Sequence, residues 1–374
     1  MQLQLRAEQV EVFMVKSLFV FFLGLMTCGF CLSAPSDART RTYYIAADEV
    51  LWNYAPSGRN LITDEALRPG AENRIGNSYD KAIFNAYTDA TFAHAIRRAP
   101  WQGILGPTIR AEVGDTIVVV FANNTRFPQS MHPHGVLYAK SSEGAPYNDG
   151  VDMRQKGGDS VAPHQRFRYI WTVPPRAGPA QMDASSVLWM YHSHVHESAD
   201  ISSGLIGPLV VTRKGMARAD GSPKDVDREL FMLFALEDEN QSVYMADNFK
   251  RVPDRSKITP DQQFSPFSEF YASNEIPSIN GYIFGNMPLP TVRLAERVRW
   301  YLLGNASDAL DYHAIHWHGN TATAQGMRTD VVPLLPGGMA VADMIPDNPG
   351  IWLFHCHIGY HMNGGMVTRY RVTH

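Results

Sequence analysis

The histidines of this chain are concentrated in four pairs, each separated by a single residue. Side chains two positions apart on a β-strand point to the same face, so each pair can direct two imidazoles at one point. A single such pair is better explained by surface or edge-strand histidines, but four at repeated positions favour a shared cluster of several metal ions. The pairs are His132 and His134, His192 and His194, His316 and His318, and His355 and His357.

The stretch HCHIGYHMNGGM, which starts at His355, contains a second kind of potential ligand. Cys356 lies between two histidines of a pair, so on a strand its side chain faces the opposite way and indicates a separate site inside the domain. Two histidines, one thiolate and a weak methionine ligand are typical of blue copper, and His313, His361 and Met366 are suitably placed. Zinc fits a thioether poorly, and a cysteine–histidine nucleophile leaves most of the histidines unexplained.

The two halves of the chain repeat the same order of motifs. VLWMYHSH (187–194) matches IWLFHCH (351–357), and HPH (132–134) matches HWH (316–318), with a glycine after each of the last two. The repeat predicts two copies of one domain, at residues 39–215 and 229–374, joined by a polar linker at residues 216–228.

The repeat also predicts that only one half holds the blue copper site. The positions of the first half that match His313, Cys356, His361 and Met366 are occupied by residues of other types, whereas the paired histidines are kept in both halves. The matching residues are Gln129, Ser193, Ser198 and Ser203.

The sequence predicts β-strands for the elements that position these residues. Seven segments rich in β-branched and aromatic residues are separated by turns, no long amphipathic helix is evident, and 29 Gly and 24 Pro fit a turn-rich all-β architecture. The segments are 116–123, 166–173, 205–212, 230–236, 297–303, 351–358 and 366–373.

The N-terminal segment and the composition restrict the location and the partners. Lys16, the uncharged apolar run 17–32 and the small residues of 33–38 are typical of a secretory signal, which predicts a periplasmic or extracellular protein without a membrane span after cleavage. An uncleaved anchor is the alternative. Cleavage would leave Cys356 as the one cysteine of the mature chain.

The net charge of −4, with acids and bases interspersed, argues against a nucleic-acid partner.

These motifs resemble those of multicopper oxidases. HAIHWHG and HCHIGYHMNGGM are similar to the C-terminal pair of copper motifs of that family, and HPHG and HSHVHE to the first pair. Longer stretches, including WNYAP (52–56), NRIGNSYDKAIFNAYTDATF (73–92) and ILGPTIRAEVGDTIVVVF (104–121), resemble the ceruloplasmin and hephaestin branch. Two domains are the arrangement of small bacterial laccases.

The resemblance implies two cupredoxin-like Greek-key β-domains and four copper ions per chain. Electrons from a reductant would enter at a type 1 copper and reduce O2 to water at a trinuclear cluster shared between the subunits of a homotrimer. Tyr138 and Glu143 match supporting residues near the type 2 copper. The implied ligands are His313, Cys356, His361 and Met366 for type 1, His132 and His316 for type 2, and His134, His192, His194, His318, His355 and His357 for type 3.

The resemblance leaves the reductant open. Iron-oxidising relatives carry a Glu, a His and an Asp at positions where this chain has Ala272, Pro277 and Tyr360. The acids Glu275, Asp308 and Asp311 lie nearby in the sequence and are candidates to replace them. Phenols or aromatic amines, Fe(II) and Cu(I) therefore all remain candidate reductants. A copper nitrite reductase and a non-catalytic copper-binding protein are the alternative functions.

Overall fold

The computed structural model describes residues 38–67, 73–305 and 311–374. Asp308 and the predicted signal segment, apart from its last residue, lie outside the described residues. The first half of the described chain contains the strands β1 (Thr40–Asn53), β2 (Arg59–Asn60), β3 (Glu65–Ala66), β4 (Ser78–Tyr87), β5 (Ile109–Glu112), β6 (Thr116–Asn123), β7 (His132–Pro133), β8 (Leu137–Tyr138), β9 (Arg166–Thr172), β10 (Ser186–His192) and β11 (Ile206–Thr212).

The second half is built in the same way and confirms the predicted all-β class. Its strands are β12 (Arg228–Asp238), β13 (Glu275–Ile279), β14 (Thr291–Arg293), β15 (Val298–Asn305), β16 (His313–Trp317), β17 (Ala322–Ala324), β18 (Met327–Thr329), β19 (Val331–Leu334), β20 (Met339–Met344), β21 (Gly350–Cys356) and β22 (Val367–Thr373). The described α-helices are all short: α1 (Glu197–Ser202), α2 (Met245–Asn248), α3 (Pro260–Phe264), α4 (Glu269–Ala272) and α5 (Gly359–Gly364).

Each half packs two sheets against each other. In the first half the strand orders are β4-β1-β6-β9-β8 and β5-β11-β10-β7, and in the second half they are β13-β12-β15-β20-β17-β18 and β14-β22-β21-β16-β19. The pairings correspond: β1 runs parallel to β6 as β12 does to β15, and β10 pairs antiparallel with β7 as β21 does with β16. The strands that carry the paired histidines are therefore neighbours in both halves.

Apolar cores fill the space between the sheets of each half. Trp171 and Tyr169 lie in the core of the first half, and Trp300 and Phe354 in that of the second. A third apolar cluster joins the halves, because Leu188 and the neighbouring side chains of β10 and β11 pack against β12 and β15. The fold thus fixes the two sets of histidine-bearing strands relative to each other.

A glycine follows the first histidine pair of each half for a steric reason. Gly135 and Gly319 both adopt a φ of 75°, and a Cβ atom at either one would lie 2.3 Å from the indole ring of Trp189 or Trp352. The tryptophans stand on β10 and β21, next to the second histidine pair of each half. This contact requires glycine and packs the two histidine motifs of each half together.

The segment between β12 and β13 contains the helices α2, α3 and α4. Thr259 and Ser268 accept hydrogen bonds from the first turns of α3 and α4, and Thr259 and Gln262 form a capping box. Within the described part of the chain, no helix combines the length and the apolar character needed to cross a lipid bilayer.

Candidate metal centres

One candidate centre lies inside the second half, where β16, β21 and α5 meet. The ligand atoms of His313, Cys356 and His361 all lie within 4.8 Å of one another, and the three side chains are buried. Cys356 Sγ is 3.5 Å from His361 Nδ1 and accepts a hydrogen bond of 3.4 Å from the backbone N–H of Ala314. The alternation along β21 turns Cys356 into the core, as the sequence predicts.

Met366 completes the predicted ligand set of this centre. Its side chain is fully buried in the same apolar core as Cys356. Its backbone carbonyl accepts from the N–H of Cys356 at 3.1 Å, and its own N–H donates to the carbonyl of His361 at 2.9 Å. These bonds place all four residues in one region of the core.

The hydrogen bonds of the His313 ring are those expected of a metal-binding histidine. Its Nε2 lies 3.1 Å from the Asn305 carbonyl and donates to it, which leaves Nδ1 as an electron-pair donor. Nδ1 is buried and has no hydrogen-bond partner among the described residues. A buried imidazole nitrogen without a partner is costly unless a metal ion binds it, and a carbonyl on the other ring nitrogen is a usual feature of metal-binding histidines.

Burial adjusts the protonation of the same residues. It lowers the pKa of His313 to about 4 and lowers the pKa of His361, so both imidazoles are neutral near pH 7. It raises the pKa of the Cys356 thiol, because the thiolate is not solvated in the core. A bound cation would favour the thiolate that a soft metal ion requires.

A second centre lies at the edge of the first half. His132, His134 and His192 bring their ligand nitrogens within 4.8 Å of one another. The ring of His194 lies 5.2 Å from that of His132 and 5.5 Å from that of His192. The Nδ1 atoms of His132 and His192 lie 2.7 Å and 3.0 Å from the carbonyls of Glu143 and Ser193 and donate to them. Their Nε2 atoms are therefore left as ligands.

The second half repeats this arrangement. His316, His318 and His355 form a group of the same kind, and the His357 ring lies 5.4 Å from that of His316. The Nδ1 atoms of His316 and His355 lie 2.9 Å from the carbonyls of Asp330 and Cys356. The structure thus brings the eight paired histidines together as two groups of four.

The strands position only the first histidine of each pair. His132, His192, His316 and His355 lie within β7, β10, β16 and β21, and their partners come one or two residues after the strand ends. The two rings of each pair nevertheless converge, with centroids between 4.8 Å and 5.7 Å apart. Burial lowers the pKa of several of these histidines, to about 4 for His134 and about 3 for His192, which keeps them neutral for metal binding.

The two groups remain apart within one chain. No ring contact links a histidine of the first group to one of the second among the described residues. The first group instead borders a cavity of about 240 Å³ whose opposite wall, in the second half, includes Asn305 and Pro336. Each group by itself offers four imidazoles.

Tyr138 and Glu143 both lie beside His132. The Tyr138 ring is 5.9 Å from that of His132. Glu143 contacts the histidine through its backbone carbonyl, whereas its carboxylate accepts hydrogen bonds from Lys140 and from the Tyr147 hydroxyl.

Glu197 is a charged neighbour that the sequence patterns did not single out. Its Oε2 lies 3.2 Å from Nε2 of His194, three positions earlier on the chain. The position of Glu197, directly after HSHVH, is the sequence feature that could have identified it.

The surface next to the blue copper candidate carries Tyr360 and Asp311. The Tyr360 ring lies 4.2 Å from that of His361, and its hydroxyl donates to the Asp311 carboxylate. More than half of Tyr360 is exposed. The phenol hydroxyl of Tyr360 thus engages the Asp311 carboxylate beside His361.

Comparisons with known proteins agree with this fold and these centres. Residues 101–215 and 250–374 match two family models, each described as multicopper oxidase. Human ferroxidase HEPHL1 is 42% identical over 351 residues, which covers 91% of this chain and 30% of that protein. Human hephaestin is 38% identical over 90% of this chain, and human ceruloplasmin 39% over 89%. The chain spans about 30% of the length of these relatives.

Solved structures show the same fold at lower identity. A multicopper oxidase crystal structure aligns with a TM-score of 0.56 and 21% identity over 89% of both chains. A copper nitrite reductase from Nitrosomonas europaea aligns with a TM-score of 0.56 and 17% identity over 89% of this chain and 94% of its own. Fold and ligand sets together define a cupredoxin-like copper protein.

The chain belongs to the multicopper oxidase family and is ceruloplasmin- and hephaestin-like. The family resemblance read from the motifs is confirmed. That family is one of copper-binding proteins.

Proposed function

We propose that this chain couples the one-electron oxidation of a reductant to the four-electron reduction of O2 to water. The observation that carries the proposal is the buried set of His313, Cys356 and His361, with an unpartnered Nδ1 on His313, beside two groups of four histidines. Copper bound at these residues would cycle between Cu(II) and Cu(I), accept electrons one at a time and supply them to O2.

The proposed ligands follow the groups that the fold assembles. His313, Cys356, His361 and Met366 hold type 1 copper, and His132 and His316 hold type 2 copper. Cys356 is joined through the backbone to His355 and His357, so only a few covalent bonds separate the two kinds of centre. Six histidines bind the type 3 pair, which gives four copper ions per chain: His134, His192, His194, His318, His355 and His357.

Tyr138 and Glu143 have supporting roles beside the type 2 ligand His132. The Glu143 carbonyl fixes the Nδ1–H of His132, and Tyr138 packs against the same ring. Burial raises the pKa of Tyr138, so its hydroxyl keeps its proton at neutral pH. We assign these residues to the orientation of His132 and to the supply of protons to the cluster.

We propose a homotrimer in which each cluster lies between two subunits. Each chain offers one group from each half, and head-to-tail contact of unlike faces usually closes into a ring. The proposal divides the chain into domains at residues 39–215 and 229–374. The signal predicted at residues 1–38 would place the assembly outside the cytoplasm.

Subunit mixing tests the shared cluster. A His134→Ala/His194→Ala variant lacks the first group, and a His318→Ala/His357→Ala variant lacks the second. Each alone is expected to be inactive, whereas mixed and reassembled trimers regain part of the turnover at interfaces that pair two intact groups. A monodisperse monomer with full copper and activity would overturn the trimer.

Aromatic reductants and Fe(II) are both proposed substrates, and the surface near His361 favours aromatic ones. Tyr360 offers a ring for stacking at the position where the sequence comparison expects an acid in iron-oxidising relatives. Asp311 is engaged by Tyr360, which weakens its attraction for a cation. Values of kcat/KM for phenols, aromatic amines, Fe(II) and Cu(I) on the copper-loaded protein rank these candidates.

The reaction itself is tested by copper content and oxygen uptake. Four copper ions per chain, with O2 consumed and water as product, support the oxidase. Two copper ions per chain, with nitric oxide formed from nitrite, would identify a nitrite reductase instead.

A further inference from the structure

A buried polar cluster occupies the first-half counterpart of the blue copper position. Gln129 matches His313 and Ser193 matches Cys356 in the internal repeat, and Asp200 lies beside them on α1. All three side chains are buried, with at most 1% of each residue exposed. Three polar residues deep in a domain are costly to bury unless they bond one another.

Ser193 is the centre of this cluster. Its Oγ lies 2.7 Å from Asp200 Oδ2 and 2.9 Å from the side-chain amide of Gln129, and it accepts from the Ser130 N–H at 3.0 Å. The last contact has a direct parallel in the second half, where the N–H of Ala314 donates to Cys356 Sγ. The serine hydroxyl therefore occupies the place of the thiol.

The cluster reaches the neighbouring metal-binding candidates through the backbone. The carbonyl of Ser193 accepts from Nδ1 of His192 at 3.0 Å, as the carbonyl of Cys356 does from His355. The N–H of His194 donates to Ser130 Oγ at 2.9 Å, and that of His196 donates to Asp200 Oδ2 at 3.0 Å. Backbone groups on both sides of Ser193 in this histidine motif are thus connected to the cluster.

In the second half, equivalent chain segments each bring a side chain to the blue copper candidate. These are His313 from β16, Cys356 from β21 and His361 from α5. In the first half the corresponding residues are not copper ligands. We propose that Gln129, Ser193 and Asp200 form a metal-free clamp that positions His192 and His194 for the cluster. The clamp rests on the proposed function, since it assigns these two histidines to copper.

The chemistry of the buried groups agrees with this role. Ser193 Oγ contacts the side chains of both Gln129 and Asp200, and the Asp200 carboxylate also accepts from the His196 N–H. Burial raises the pKa of Asp200, and the hydrogen bonds from the His196 N–H and from Ser193 act in the opposite direction. The residues act through Ser193 on the histidines and are positioning residues.

Hydrogen exchange on the metal-free protein tests the clamp without relying on turnover. Ser193→Ala and Asp200→Ala are expected to speed amide exchange at His194 and His196 by about tenfold or more, the effect of about 1.4 kcal/mol. Asp200→Asn keeps an acceptor for the His196 N–H and should largely restore slow exchange. Ser203→Ala, which also removes a buried hydroxyl in this segment, is the matched control and should leave these two amides unchanged.

Spectroscopy of the copper-loaded variants completes the test. Ser193→Ala and Asp200→Ala should lower the copper bound by the histidine groups and alter the absorption of the type 3 pair, to which His192 and His194 are assigned, while the blue absorption from the second half persists. Unchanged exchange and unchanged cluster spectra in both variants would overturn the clamp. If Ser193→Ala does not fold, the Asp200→Ala and Asp200→Asn pair carries the same comparison. Wild-type protein that binds no copper at the histidines would overturn the proposed function, and exchange would still decide the clamp.

Discussion

The Nε2 atoms of His318 and His355 lie 3.1 Å apart, and those of His134 and His192 are separated by the same distance in the other half. The partners are 37 and 58 positions apart in the chain, so the spacing comes from the packing of repeated strands rather than from a local turn. The Nδ1 atoms of His355 and His192 each donate a hydrogen bond to a backbone carbonyl. Both halves therefore present nitrogen ligands in the same geometry.

Removing one of these nitrogens should disable the cluster and spare the blue copper site. His134→Ala takes away a ligand of the first group, so we expect a copper deficit at the cluster and loss of O2 uptake by about 100-fold or more, the upper part of the range for an altered metal site. The blue absorption should remain. His94→Ala is the control, because His94 is exposed and outside both groups. Normal O2 uptake in His134→Ala would contradict the assignment.

The buried ammonium of Lys81 should contribute strongly to stability. Lys81 is fully buried, and its Nζ lies 2.6 Å from Glu239 and 3.5 Å from Glu237, which links β4 to β12 across the two halves. Lys81→Met leaves these carboxylates without their cation and should lower the free energy of unfolding by about 3–5 kcal/mol. Denaturant titration measures the change.

An exposed ion pair provides the comparison for Lys81. Lys250 pairs with Asp247 at 2.6 Å, with most of its side chain in solvent. Lys250→Met should change stability by less than about 1 kcal/mol. Equal losses in the two variants would show that the buried network contributes no more than a surface pair.

The same network should make stability depend on pH. Burial raises the pKa of Glu237 from its ordinary 4.5 to about 7. Between these values the folded protein holds a proton that the unfolded chain has released, so this contribution to stability is complete below about pH 4.5 and is lost as the pH rises through about 7. Glu237→Gln should therefore gain stability relative to wild type from pH 5 to pH 8. Parallel pH curves for the two proteins would refute this assignment.

Tyr360 should control the choice of reductant. Tyr360→Phe keeps a ring against His361 but releases the carboxylate of Asp311, which then attracts cations more strongly. We expect kcat/KM for Fe(II) to rise by about fivefold, which corresponds to one hydrogen bond of about 1 kcal/mol, with little change for phenols. A Tyr360→Phe/Asp311→Asn double variant should lose the gain. An equal change for both reductants would argue against a role in specificity.

Several of these features could be predicted from the sequence because they depend on local patterns. The segment 116–123 forms β6 over its full predicted length, since its β-branched residues fit a buried strand. Alternation around Cys356 separates its side chain from the neighbouring histidines, as observed. The contrast between Cys356 and Ser193 likewise indicated that the blue copper candidate lies in the second half.

Other features depend on contacts that no local pattern carries. The approach of His134 to His192, 58 positions later in the chain, depends on the pairing of β7 with β10. The bond of Lys81 to Glu239 joins residues 158 positions apart, and the carboxylate of Glu143 turns to Lys140 although its backbone lies at His132. The segment with α2, α3 and α4 lacks a long apolar period, and side-chain caps stabilise two of its short helices.

The most direct test of the account is the copper content and blue absorption of Cys356→Ser beside wild type. Cys356 is the one thiol among the described residues, and it belongs to the buried candidate rather than to either histidine group. We predict four copper ions and intense blue absorption for the wild-type chain, and three copper ions, no blue absorption and no oxidase turnover with any reductant for Cys356→Ser. A Cys356→Ser protein that stays blue and oxidises its reductants at the wild-type rate would contradict the account.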